Sequence, residues 1–172
     1  MKIRTAAVAG VLFVSGIAVG YAAQKTTAPA YRDKPKQDAA MALLQTAKTL
    51  AGKGSWERIA VGRVYYLGGH RAEGQAMFDQ VLAGKPEDTD FYRIARVYRE
   101  AGEWDKAKAM FDRFLSVTDD DETKLAEIGA YYLMQGDRAA AERLFDRSFK
   151  TKPDLWAAVA AAGGYLDVAP QE

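Results

Sequence analysis

The chain of 172 residues contains no cysteine and no asparagine, and it has a single histidine and only five prolines. Without cysteine there are no disulfides, no thiolate metal ligands and no acylated cysteine anchor. Without asparagine there is no acceptor for N-glycosylation. His70 lies beside Gly69 where the pattern places a turn between helices, and it reads as an exposed turn residue; with no cysteine to join it, a typical zinc site cannot form. Ser55, Ser116 and Ser148 lack the context of a nucleophile elbow. The glycines are scattered at turns, so there is no phosphate-cradling loop. Glu142 and Asp146 share a helix face, but Arg143 and Arg147 beside them make a solvated, salt-bridged surface the simpler reading. Asp119, Asp120 and Asp121 lack the Gly and Glu offsets of a calcium loop and suit a helix N-terminus instead. No catalytic residue, metal site or cofactor is expected. Neither charge sign dominates: 24 basic and 23 acidic residues give +1, which suggests neither nucleic acid nor an anionic membrane surface as the main partner.

What the chain does have is a period. The stretch from Asp88 to Asp121 carries two amphipathic helical patterns joined at Gly102, and the same plan recurs on either side. Gly69, Gly102 and Gly136 fall in register, as do Tyr65, Tyr98 and Tyr132, then Phe78, Phe111 and Phe145, then Pro86, Asp119 and Pro153; each set steps by 33 and then 34 residues. Four markers on one period identify a repeat array. Gly62, Ala95 and Gly129 sit one turn before the Tyr on the same face and let a second helix approach closely. Ala107 and Ala141 do the same from the other side, with Phe111 and Phe145 one turn on. One helix pair cannot bury its apolar face alone, so neighbours must stack.

These residues resemble the tetratricopeptide repeat family. The central unit matches its pattern with Phe91, Ile94, Ala95, Tyr98, Ala107 and Phe111, and has Asp119 where Pro is usual. The third matches with Leu125, Ile128, Gly129, Tyr132, Ala141, Phe145 and Pro153. The first matches with Val61, Gly62, Tyr65, Phe78 and Pro86, and departs at Arg58 and at Gly74, where Ala is expected; these departures are expected to loosen that unit. The resemblance covers roughly residues 55 to 155. It implies an all-α chain: a right-handed α-solenoid of about three helix-turn-helix repeats (about 55–87, 88–121 and 122–155) between N-terminal and C-terminal capping helices.

Taken in order, residues 1–23 read as a targeting segment. Lys2 and Arg4 precede a run without charge from Ala6 to Ala23, and Gly20-Tyr21-Ala22 offers small residues for a signal peptidase. The alternative is an inner-membrane anchor over residues 6–23, since 18 helical residues rise about 27 Å. Either places the remainder outside the cytoplasm, exported and periplasmic or extracytoplasmic. Residues 24–37, with Pro29 and Pro35, read as a flexible tether. The repeat domain is expected over 38–167. Asp38 can cap a helix running to Ala51, either a plain cap or the second helix of a degenerate unit, since Leu44 lies 34 before Phe78 and Ala40 lies 34 before Gly74. First helices are expected at about 56–67, 88–101 and 122–134, and second helices at about 71–84, 104–117 and 138–151. A last helix from Leu155 should turn Leu155, Val159, Ala162 and Leu166 inward and pack Trp156 against the third unit. Residues 168–172 should form a loose tail.

The resemblance places partner binding on the first helices. The matching positions form three rows: Ile59, Tyr92 and Ala126; Arg63, Arg96 and Ala130; Tyr66, Arg99 and Leu133. They make a groove that is basic and aromatic over two units and apolar over the third. Arg and Tyr are enriched in binding hot spots. The carboxylate clamp of the family's chaperone-tail branch needs Asn and cannot be present in its usual form. The expected function is non-enzymatic: an exported adaptor or assembly factor holding a segment of another protein, with a structural or self-assembling scaffold subunit as the alternative. The membrane enters only through the N-terminal segment, where that segment is left uncleaved.

Overall fold

A computed structural model describes residues 28–118 and 121–171. After a short 3-10 turn at Ala28–Ala30 come eight α-helices among the described residues: α1 (Lys36–Ala51), α2 (Ser55–Leu67), α3 (Arg71–Leu82), α4 (Asp88–Glu100), α5 (Trp104–Val117), α6 (Glu122–Met134), α7 (Arg138–Thr151) and α8 (Leu155–Tyr165). Helices α2–α3, α4–α5 and α6–α7 pack as close pairs, α8 lies on α6 just as closely, and α1 lies on α2. The fold is an α-solenoid of helix-turn-helix repeats.

The turn inside each pair explains the glycine and tyrosine period together. Gly69, Gly102 and Gly136 take positive φ of 92°, 75° and 84°. That conformation reverses the chain and strains any residue with a Cβ. The next residue's N–H then reaches back to the register tyrosine's carbonyl: His70 to Tyr65 at 2.8 Å, Glu103 to Tyr98 at 2.9 Å and Asp137 to Tyr132 at 3.0 Å. Aspartates open the later helices. Asp121, Asp137 and Asp154 accept from the backbone N–H three residues on, at 3.0, 2.9 and 2.8 Å. For Asp121 this is the capping expected of the acidic cluster; Asp119 and Asp120 lie outside the described residues. Helix α1 begins three residues earlier than expected, with Pro35 at its N-cap, so Asp38 sits in its first turn.

The core runs through all three units. Phe78, Phe111 and Phe114 are fully buried, and Phe145 nearly so. A smaller cluster joins Met41, Leu44, Ala47 and Ala51 of α1 to Val61, Tyr65 and Met77. The first unit is not loosened at Gly74. A Cβ there would lie 2.7 Å from the Gly62 carbonyl oxygen and from Tyr66 Cβ. Glycine faces glycine, and α2 and α3 approach more closely than an Ala would allow. Arg58 lies outside this contact and closes the α1–α2 turn, its Nε donating to the Gly52 carbonyl at 2.9 Å. His70 is half-buried rather than exposed: Gln37 of α1 lies 2.6 Å from its Nε2, and Tyr65 meets its ring edge-on.

Helix α8 is turned about its axis relative to expectation. Ala157, Ala160, Ala161 and Gly164 are buried, while Leu155, Val159, Ala162 and Leu166 face solvent. Trp156 is 65% exposed instead of packed. The cause is steric. The small-residue face comes within contact of the α6 backbone, where a Cβ on Gly164 would stand 2.8 Å from Ala130 Cα. The larger side chains cannot enter so narrow a gap. The tail is not loose over 168–171. Asp167 takes a left-handed φ of 57°, Val168 N–H donates to the Gly163 carbonyl at 2.8 Å, and Ala169 packs on the core.

Candidate groove on the first helices

Helices α2 and α4 leave between them an open groove of about 510 Å³. Its lining is mainly apolar, from Ile59, Ala60, Val64 and Val97, with Trp56, Arg63, Arg93 and Arg96 completing it. Trp56 and Val64 are 63% and 50% exposed. The cations are held in place. Arg63 makes a two-pronged contact with Glu100, Nε and Nη2 each 2.7 Å from a carboxylate oxygen. Arg93 donates to Thr89 Oγ1 at 3.0 Å, lies 3.7 Å from the buried Asp90 carboxylate, and sets its guanidinium 4.9 Å from the Trp56 ring centroid. Asp90 is itself fixed by accepting the Glu87 N–H at 3.0 Å as part of the α4 capping box. The cap of α4 thus orients the arginine that orients Trp56.

A second, smaller recess lies between α4 and α6, lined by Thr89, Tyr92, Arg93, Arg96, Lys124 and Glu127 among others. Tyr92 is buried and its hydroxyl donates to Glu127. Burial first, and then the Glu127 carboxylate, push the phenol well above its ordinary value, so it stays a donor.

The predicted rows separate here. Ile59, Arg63 and Arg96 line the first groove, and Tyr92 and Arg96 line the second. Tyr66 turns away. Its ring packs on Phe78 and Tyr98, and its hydroxyl donates to Glu103 at 2.7 Å and accepts from Lys106 at 3.2 Å. Arg99 lies over the Tyr131 ring at 4.6 Å. Leu133 is half-buried against the core. Ala126 and Ala130 are fully buried. Helix α8 occupies the third-unit end, because alanine there leaves room for a helix where Tyr92 and Arg96 would fill it. The expectation of an apolar groove on Ala126 and Ala130 is therefore corrected: α8 covers them, and the open apolar surface at that end is a cleft of about 520 Å³ between α8 and residues 168–171, separate from the groove on the first unit.

Sequence reasoning missed Trp56, Val64 and Arg93. A signal existed for the first. Trp56, Thr89 and Thr123 form a further row at steps of 33 and 34, three residues ahead of the Ile59 row. Arg93 had no such signal, since its role depends on the α4 cap. The register also left the carboxylates out: Glu100 pairs with Arg63, and Glu127 shares the second recess with Arg93 and Arg96, so both temper the positive surface that the arginines alone suggest.

With this geometry in view, a family model described as tetratricopeptide repeat matches residues 91–117, most of α4 and all of α5. No curated protein and no solved structure matches the chain. Repeats of this family generally mediate protein–protein interaction, and they are typically non-enzymatic. Among the described residues no group of three or more His, Cys, Asp or Glu could hold a metal ion, and no helix is long and apolar enough to cross a membrane. Residues 1–23, read as a signal or anchor, lie outside the described residues.

Proposed function

We propose that the chain is an adaptor or assembly factor that holds a segment of another protein in the α2–α4 groove. The supporting observation is the exposed Trp56 beside Val64 and Ile59, steadied by Arg93. A large aromatic face on a rigid helix, next to an open apolar cleft, suits an apolar side chain of a partner. Arg63, Arg93 and Arg96 then serve as a polar rim that sets orientation. The Lys2/Arg4 start and the uncharged run support the further reading that this holding happens outside the cytoplasm, on an envelope protein.

The first test recovers the partner from envelope extract with residues 24–172 and measures its affinity for variants. Trp56→Ala is expected to weaken binding by at least about tenfold with an unchanged circular dichroism spectrum. Lys150→Glu, on the exposed side of α7, should bind like wild type. Equal affinity of Trp56→Ala and wild type would reject the groove. Amino-terminal sequencing of the cell-derived protein tests location: a start near Ala23 supports cleaved export, and an intact Met1 in the cytosol removes both export and anchoring.

A further inference from the structure

Helix α8 is apolar on two opposite faces. One is buried on α6. The other, Leu155, Val159, Ala162 and Leu166, is open, with Val159 53% and Leu166 75% exposed. A helix apolar all round packs on both sides. The repeat register says what belongs on the open side. Tyr165 follows Tyr132 by 33 residues, and Ala162 follows Gly129 by 33. Tyr98 follows Tyr65, and Ala95 follows Gly62, by the same step. Helix α8 thus stands in the place of a first helix, and Ala162 is its small position. In complete units a second helix covers that position: a Cβ on Gly62 would lie 2.7 Å from the Phe78 ring, and one on Gly129 2.6 Å from the Phe145 ring. Ala162 is exposed, and the described residues after it, 167–171, form no helix.

Helix α1 is the complementary half. Ala40 is in register with Gly74, Ala107 and Ala141, which are all buried against their first helices. Ala40 is exposed, as are Leu43 at 38% and Leu50 at 60%. One end of the array therefore shows a first helix without its second, and the other a second helix without its first. Charge agrees with the pairing. Residues 28–54 carry Arg32, Lys34, Lys36, Lys48 and Lys53 against Asp33 and Asp38, whereas residues 152–171 carry Asp154 and Asp167 against Lys152.

We propose that α8 of one copy packs against α1 of the next, building a composite repeat in which Ala162 faces Ala40 as Gly62 faces Gly74. The contact is head-to-tail, so it generates an open chain of copies or a closed ring. It uses the two ends and leaves the α2–α4 groove free, so it stands or falls independently of partner binding.

The test uses the full 172-residue chain and the absence of native cysteine. Sedimentation equilibrium should show mass rising with concentration. Val159→Glu and Leu43→Glu should each weaken association by more than about tenfold, since each buries a charge in the contact. Mixed together they should give a one-to-one pair and nothing longer, because one retains α1 and the other α8. Should a glutamate variant misfold by circular dichroism, the small substitutions decide. Ala40→Cys and Ala162→Cys copies should crosslink to each other on mild oxidation, and the double variant should give a ladder. A chain that stays monomeric overturns the proposal, as does assembly unchanged in both glutamate variants. So does Ala162→Cys crosslinking only to itself, which would mean a symmetric α8–α8 contact.

Discussion

Helices α4 and α8 hold the same place in the repeat, and their fates differ. Helix α4 buries Phe91, Tyr92, Ile94, Ala95, Val97 and Tyr98, apolar residues on several sides, because α5 covers one side and the neighbouring first helices the others. Helix α8 buries only its alanine and glycine face. Its larger apolar residues Val159 and Leu166 stand in the register of Tyr92 and Arg99, and among the described residues the tail 168–171 lines a cleft beside them but leaves them exposed. An apolar stripe states that a face is suited to burial. Which helix buries it depends on the neighbours, and where two faces compete for one neighbour, the smaller side chains win by allowing the closer approach.

The largest expected effect separates the two helices' surroundings directly. Phe111 is fully buried, with the Tyr92, Trp104 and Tyr131 rings around it. Phe111→Ala should cost about 3–5 kcal/mol, a large part of the stability of an array this short. Leu166→Ala, at a site 75% exposed, should change stability by no more than about 0.5 kcal/mol in the monomer. Urea denaturation at low protein concentration measures both. Equal losses would mean that α8 is covered as α4 is, and the contrast would fail.

The next effect compares one register position in a complete and an open setting. Gly74→Ala installs the residue usual for the family, yet its Cβ would lie 2.7 Å from the Gly62 carbonyl and the Tyr66 backbone nitrogen, neither of which can move freely. Overpacking costs about 1–3 kcal/mol, offset by about 1 kcal/mol of helix propensity. A net loss of up to about 2 kcal/mol is expected by that balance. Ala40→Leu, at the same register position on α1, is exposed and should be neutral within about 0.5 kcal/mol. A stabilising Gly74→Ala would show that α2 and α3 are held less tightly than their glycines indicate.

These two pairs show where sequence reasoning reaches. The helix pairs, the turn glycines and the buried phenylalanines were legible because each repeats, and because turn and core chemistry act within one unit. The glycine-to-glycine contact at Gly62 and Gly74 was misread as loosening, since each position was judged alone and the fit depends on both. The groove was legible only where a row contained large residues with open space beside them, as at Ile59, Arg63 and Arg96. Ala126 and Ala130 hold the same register, but their smallness admitted α8. Tyr66 was lost because its hydroxyl found Glu103 and Lys106 on another unit. Such pairings across units are set by the array's geometry and leave no local periodic trace.

The smallest effect at neutral pH compares register tyrosines. Tyr132 is buried and donates to Asp112 at 2.7 Å, and burial together with that carboxylate pushes its phenol up to about 12. Tyr98 is raised as well, mainly by burial. Between pH 10 and 12 an unfolded tyrosine has lost its proton while folded Tyr132 keeps it, so the unfolded state binds fewer protons and stability falls as pH rises. Below pH about 9 both states are protonated and this contribution is fully present. Tyr132→Phe should therefore cost about 0.5–1.5 kcal/mol at pH 7, for one hydrogen bond lost. The gap between wild type and variant should hold to pH about 9, then shrink above 10 as the wild type loses what the variant never had. Tyr165, half exposed in the same register on α8, donates to Glu142 at 3.1 Å from a solvated position, so Tyr165→Phe should show a smaller gap and a weaker pH trend. Thermal melts of the three proteins from pH 7 to 11 decide this. If the two tyrosines behaved alike, the open face of α8 would be covered in solution, and at monomer concentrations that cover would have to come from within the chain.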